Sequence, residues 1–261
     1  MSPVLHAKEV AKDYGDGLGL NPLDLEIGPG ELVMLVGPNG AGKSTFLRLI
    51  AGLLEPTTGE VLVDGAAAGS LEARAATSFI PDNPVLYDDL SVEEHLEYVA
   101  RLHGVDEWQP RAATSFVPDA PVLYDDLSVE EHLEYVARLH GVDEWQGRAE
   151  ALLDRLALTD RAYDLPSRFS RGMRQKTSLA VGLVRPFSLL LVDEPFVGLD
   201  APTQASLVEV LAEAAAEGAA LLVSTHQLDL VERATRCVAV REGEVAYDGK
   251  PSAETVLRLV A

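Results

Sequence analysis

GPNGAGKST, residues 37–45, is the stretch that decides the fold. It matches the spacing G-x-x-x-x-G-K-[ST], follows the apolar run ELVMLV at 31–36, and opens the helical pattern KSTFLRLIAGLL at 43–54. Strand, glycine-rich turn and helix in that order form a phosphate cradle. The glycines at 37, 40 and 42 let the backbone at Asn39, Gly40, Ala41 and Gly42 curl around an anion, and the helix N-terminus adds its positive dipole end. Lys43 then neutralises the β- and γ-phosphates of a nucleotide. The Ser44 hydroxyl meets Mg²⁺, and Thr45 closes the cradle. The plain alternative, a glycine turn before an ordinary helix, requires a chance match of roughly one in a hundred for a chain of this length.

Working outward, apolar runs alternate with helical patterns: ELVMLV, then KSTFLRLIAGLL, and later SLLLVDEP at 188–195, a helix from about Thr203, and AALLVST at 219–225. That alternation predicts an α/β fold, a parallel sheet flanked by helices. The segment up to about Ile27 and GEVLVDG at 59–65 read instead as antiparallel strands with turns.

Two further stretches gain meaning beside the cradle. In SLLLVDEP an apolar strand ends at Asp193, which holds Mg²⁺ through water, and Glu194 orients or deprotonates an attacking water. In AALLVSTH the strand ends at His226, at the carboxyl edge where α/β sites gather. FSRGMRQK at 169–176 puts Ser170 and Gly172 at a helix start, either an anion site or a plain N-cap.

Composition excludes several classes. The hydrophobic share is 47% and the charged share 24%, ordinary for a globular domain. No apolar run is long enough to cross a bilayer, and MSPVLHAKEV lacks a signal-peptide core. A net charge of −21 argues against nucleic acid as a partner. The single Cys237 excludes an internal disulfide and suits a reducing cytoplasm. It lies in the strand pattern TRCVAVREG, which makes it a small buried side chain.

The chain also repeats itself. Residues 74–110 and 111–147 are 37-residue blocks that differ only at Ile80/Val117, Asn83/Ala120 and Pro110/Gly147. Each contains a short strand (TSFIP or TSFVP), a loop, and an amphipathic helix with capping-box spacing, Ser91 to Glu94 or Ser128 to Glu131. Two near-identical copies read as a tandem duplication within one domain, since solenoids need three or more repeats.

The pieces in this order resemble the nucleotide-binding subunit of an ABC transporter over essentially the whole chain, 1–261. The resemblance makes Gly37–Thr45 its Walker A motif, Leu189–Asp193 its Walker B strand with Glu194 as catalytic base, and His226 its switch histidine. Gly198, Leu199 and Asp200 look like its D-loop, Tyr14 like its adenine-stacking aromatic, and Phe169–Met173 like a variant of its signature, with Ser170 and Gly172 kept. It implies a P-loop NTPase core, an N-terminal antiparallel β subdomain and a helical subdomain at about 83–170, enlarged here by the duplication. It further implies ATP and Mg²⁺ as ligands, ATP hydrolysis coupled to transport, and a dimer with itself or a similar subunit in which each signature completes the other's site. The partner is a separate transmembrane permease, and the location is the cytoplasmic face of the membrane. A soluble role in translation or DNA repair is the competing assignment, and a nucleotide-binding scaffold with impaired coupling is a third.

One position departs from the family. Where it carries a Gln after a strand, this chain has Asp82 in copy one or Asp119 in copy two. An ionised Asp binds Mg²⁺ through water but donates no hydrogen bond. Together with SRGM, this Asp is similar to a subset of exporter ATPases.

The 127 residues separating Lys43 from Ser170 fall to 90 when one block is removed, close to the family's spacing. Two strands therefore compete for one slot. Copy one is favoured because Ile80 buries a methylene more than Val117, worth about 0.8 kcal/mol, and because its connection is shorter. Copy two is then expected to bulge out, with its apolar helix face of Val129, Leu133, Val136 and Leu139 lacking its usual core and needing a partner: the helical subdomain, the other subunit or the membrane protein. Three readings of the insert stand: a tolerated duplication, a modified docking surface, or an engineered or assembly-derived sequence. His95, His103, His132 and His140 raise a metal site, against which their spacing of eight and the lack of nearby cysteine count.

Overall fold

The computed structural model describes residues 2–15, 18–80, 127–139, 142, 146–166, 169–184 and 186–260. Its elements in chain order are strands β1 (Leu5–Gly15), β2 (Leu18–Ile27) and β3 (Leu32–Val36), helix α1 (Lys43–Ile50), and strands β4 (Thr58–Val63) and β5 (Ala66–Ala67). Helix α2 (Leu71–Ala76), strand β6 (Thr77–Ile80), and helices α3 (Val129–Leu139), α4 (Gln146–Arg155) and α5 (Arg171–Val184) follow. Strand β7 (Leu189–Val192), helix α6 (Ala201–Ala216), strands β8 (Ala220–Thr225), β9 (Arg236–Arg241) and β10 (Glu244–Gly249), and helix α7 (Ala253–Val260) complete it. The chain divides into two compact units, Met1–Asp82 with Phe187–Ala261, and Asn83–Pro186.

The first unit holds two sheets. A six-stranded sheet has the order β10-β9-β3-β8-β7-β6, with every neighbouring pair parallel except β10 on β9. A four-stranded antiparallel sheet has the order β2-β1-β4-β5. Both sheet types follow the sequence expectation of an α/β fold with helices against a parallel sheet. The central strands β3, β7 and β8 are buried along their whole length, which is why they read as unbroken apolar runs rather than alternating ones. Val33, Leu35, Leu191 and Leu222 share one core with Phe46, Leu47 and Ile50 of α1 and with Leu5 and Ile27 of the antiparallel sheet. The alternate residues, such as Met34, Leu190 and Leu221, are equally buried, and α6 packs against β3 and β8.

Parallel register positions the site. Val36 lies beside Thr225, and Val192 beside Val223, so the carboxyl ends of β3, β7 and β8 finish together. Gly37, Asp193 and His226 all leave that edge. Ligands in open α/β sheets bind there because the helix N-termini and loops converge on it.

The two repeat copies fill different slots. Strand β6 comes from copy one and pairs in parallel with β7, Ile80 beside Val192. Helix α3 comes from copy two, and in the second unit it packs on α5. Its Val129, Leu133 and Ala137, four residues apart on one face, are fully buried, and Val136 is half-buried. The helix of copy two therefore does not bulge out without a core: of the partners expected for its apolar face, a neighbouring helix of the second unit, α5, covers it. The reason is that the helix slot is satisfied by residues common to both copies, whereas the strand slot holds Ile80, where copy two has Val117. Lengthening a connection costs only about 0.6 kcal/mol per doubling, so the strand's origin does not dictate the helix's.

The Ser128 capping box forms: the Glu131 amide donates to Ser128 Oγ at 3.2 Å, and the Ser128 amide to Glu131 Oε2 at 2.8 Å. Those bonds hold the Glu131 carboxyl below its ordinary range. His132 is buried, its Nδ1 donating to the Ser128 carbonyl at 2.7 Å, the mark of a packed histidine. No cluster of metal-ligating side chains occurs among the described residues. The stretch of copy one expected to be helical, with Ser91, Glu94, His95 and His103, and also His140, lies outside them. Replacing Leu133 with Ala is expected to cost about 2–5 kcal/mol, read as a lowered denaturant midpoint, because it opens a cavity in a fully buried helix face.

Candidate functional site

The loop 37–42 joins β3 to α1 under two steric requirements. A Cβ on Gly37 would stand 2.2 Å from the Val240 carbonyl oxygen of β9, so only glycine lets the loop leave the sheet here. Gly42, the residue preceding α1, takes the left-handed conformation at φ 99°, which glycine adopts without penalty. The Phe46 amide donates back to the Gly42 carbonyl, starting the helix, and the Ala41 amide donates to the Pro38 carbonyl.

Lys43 opens α1 and is only 6% exposed. Its ammonium reaches back over its own loop, donating to the Gly37 carbonyl at 2.8 Å and the Pro38 carbonyl at 3.3 Å. Its third partner is Glu194 Oε1 at 3.4 Å. Glu194 is the second residue past β7 and is itself in the left-handed region at φ 47°, a conformation that costs a non-glycine residue about 1–3 kcal/mol. Its other oxygen, Oε2, lies 2.8 Å from His226 Nδ1 and accepts from the His226 amide at 3.3 Å. Lys43, Glu194 and His226 thus form one line of charge and hydrogen bonding across three strand ends.

Asp193 sits directly before Glu194 and is 3% exposed. The buried Ser224 hydroxyl donates to its Oδ1 at 2.5 Å. The same hydroxyl oxygen accepts from the Glu194 amide at 2.9 Å. Ser224 was not singled out from the sequence. Its signal is present in STH, where two hydroxyl residues close an otherwise apolar strand before the histidine.

A cleft of about 340 Å³ opens beside this line. Residues 39–45 form its floor, with Glu194 and Gly19 on its walls and Tyr14 at its rim. Tyr14 is 56% exposed, and the Lys12 ammonium stands 5.8 Å from its ring centre. Asn39, Gly40, Ala41, Ser44, Thr45 and Tyr14 therefore share one cleft with Lys43 and Glu194. Asp200 serves locally as the N-cap of α6, its Oδ1 accepting from the Thr203 amide at 3.0 Å. Ser170 and Gly172 belong to the second unit, at the start of α5, where Ser170 Oγ accepts from the Met173 amide at 3.3 Å. Asp82 and Asp119 lie outside the described residues.

Cys237 of β9 neighbours Met34 of β3 and is fully buried. Burial pushes its thiol up to about 12. Little thiolate exists near neutral pH, and access is closed, so a maleimide is expected to label Cys237 only as fast as the chain unfolds. Mass spectrometry across a denaturant series checks this; rapid labelling under native conditions would contradict the packing.

The family profile described as ABC transporter matches residues 20–197. The peptide export ATP-binding protein SkfE of Bacillus subtilis (strain 168) is 30% identical over 94% of this chain and 88% of its own length. The glutamine transport ATP-binding protein GlnQ of Escherichia coli (strain K12) is 29% identical over 95% of this chain and 92% of its own. Among solved structures, an ATP-binding subunit of an ABC transporter superimposes with a TM-score of 0.74 at 30% identity, covering 95% of this chain and 90% of that one.

Proposed function

The chain belongs to the ABC transporter family, and we propose that it is an ATP-binding and ATP-hydrolysing subunit that powers export through a separate membrane-spanning partner. The observation that carries this reading is the line Lys43–Glu194–His226 beside the glycine loop. It supplies a cation for phosphate, a base for water and a histidine against that base, all at one sheet edge.

The residues present fit a magnesium nucleotide. The loop amides and the α1 N-terminus face a cleft of about 340 Å³, and Lys43 is a buried cation whose partners include a carboxylate that an incoming phosphate can replace. The adenine stacks on Tyr14, exposed at the rim. Lys43 leaves Glu194 and neutralises the β- and γ-phosphates. Ser44 and, through water, Asp193 would hold Mg²⁺, which supplies positive charge against the phosphates; Asp82 or Asp119 is the further candidate for it. Released from Lys43, Glu194 accepts a proton from the attacking water. His226, held at Glu194 Oε2, aims that carboxylate and contacts the γ-phosphate.

Ser170 and Gly172 act in trans, completing the site of a second subunit together with Asp200, so that ATP joins the dimer and hydrolysis releases it. Among the described residues no helix is long and apolar enough to cross a membrane, which fits a subunit at the cytoplasmic face with a separate permease. Export is favoured by Asp in place of the usual Gln and by the export role in the name of SkfE.

The test is MgATP turnover and ATP-dependent dimerisation of the full chain, with its co-purifying partners identified. A permease among them with ATP turnover supports the reading. Ribosomes or DNA in its place, or absence of turnover with and without a permease, would overturn it.

A further inference from the structure

Ser224 is the one polar side chain on the buried stretch of β8 that touches both acidic residues of the site, and its place comes from register alone. Val223 stands beside Val192 in the parallel pair, which sets Ser224 against Asp193. Its hydroxyl has two bonds of opposite sense: it donates to Asp193 Oδ1 and accepts from the Glu194 amide. The next residue is Thr225 and the next His226, so one strand end contacts Asp193 through a hydroxyl and Glu194 through an imidazole.

We propose that Ser224 is a positioning residue for hydrolysis, fixing which oxygen of Asp193 is left for the metal shell and holding Glu194 in the backbone conformation that aims its carboxylate. This rests on the reading of Glu194 as base and Asp193 as a metal-shell ligand. Two features require such a fixture. Glu194 occupies the left-handed region, a state that a side chain other than glycine keeps only when its surroundings hold it, and the Ser224 bond to its amide is made at that very residue. Asp193 is buried, so without the Ser224 hydroxyl one of its oxygens loses its donor and the carboxylate is free to rotate about its last torsion. A shift of about 1 Å in a supporting group suffices to lower a rate a hundredfold.

The experiment compares wild type with Ser224→Ala and Ser224→Thr in the full chain. It reads four quantities: kcat and KM for MgATP, the Mg²⁺ concentration giving half-maximal rate, affinity for a fluorescent ATP analogue in EDTA, and melting temperature. Ser224→Ala is expected to lower kcat about tenfold or more and to raise the half-saturating Mg²⁺ severalfold, while affinity in EDTA stays within twofold. A purely structural serine would not move the Mg²⁺ dependence. Ser224→Thr keeps the hydroxyl and is expected to recover most of the lost turnover. Adding Ser224→Ala to Glu194→Gln at saturating Mg²⁺ is expected to cost less kcat than in the wild-type background, since the part of its action that runs through Glu194 is already lost.

Wild-type kcat and Mg²⁺ dependence in Ser224→Ala, with Glu194→Gln inactive, overturn the role of Ser224 and leave the assigned base standing. Wild-type turnover in Glu194→Gln overturns the underlying reading instead. Should the alanine variant melt below the assay temperature, the near-isosteric Ser224→Cys takes its place under the same criteria.

Discussion

Glu194→Gln is expected to lower MgATP turnover by about 10²–10⁴-fold while nucleotide binding is kept or strengthened. The rate loss is the range that general-base catalysis supplies, because the amide cannot take a proton from water at neutral pH. The binding gain has a separate origin. Glu194 Oε1 lies 3.4 Å from the Lys43 ammonium, so the carboxylate competes for the cation that phosphate must claim. Neutral Gln removes that competitor, and it also removes a like charge from beside the incoming phosphates. Rapid-quench turnover and fluorescent-nucleotide titration read the two effects separately, and size-exclusion chromatography with ATP is expected to show an accumulated dimer. Turnover at the wild-type rate would remove Glu194 as base.

The second large effect is on binding. Lys43→Ala is expected to weaken ATP affinity about 10–100-fold, the equivalent of one charged hydrogen bond at about 1.5–3 kcal/mol. Titration without Mg²⁺ isolates this contribution from the metal's. The ammonium is 6% exposed and enclosed by the Gly37 and Pro38 carbonyls, so no surface lysine can take its place. Lys43→Arg is not expected to restore affinity, since a planar guanidinium does not fit a space built around a compact ammonium. The substitution also strips Glu194, whose side chain is 12% exposed, of its ion partner and leaves it to His226. An unchanged affinity would mean that the phosphates bind elsewhere.

The resemblance to the ABC transporter family rests on contiguous signals. Gly37 to Thr45 carry a strand exit, a left-handed turn and a helix start in nine residues, and each requirement is local: Gly42 must adopt φ 99°, and Lys43 must follow it. Asp193, Glu194 and His226 were readable because each ends an apolar run, and the buried strands of a parallel sheet end at one edge. The Ser128 capping box likewise depends on residues three apart.

Local pattern therefore determined the α/β class, the glycine loop between β3 and α1, and the acids and histidine at the strand ends, because each is written within one helical turn or one strand. Pairings between distant segments were decided only in three dimensions. Ser224 meets Asp193 because β8 lies beside β7 in a particular register, and 31 residues separate the two in sequence. The choice between repeat copies is the clearest case. The sequence is identical across Ser91–Leu102 and Ser128–Leu139, so nothing within those stretches distinguishes the copies. Tertiary packing placed the strand of copy one, with its larger Ile80, on β7 and the helix of copy two on α5, because the helix slot rewards side chains that both copies carry and the connection between them adds little cost either way.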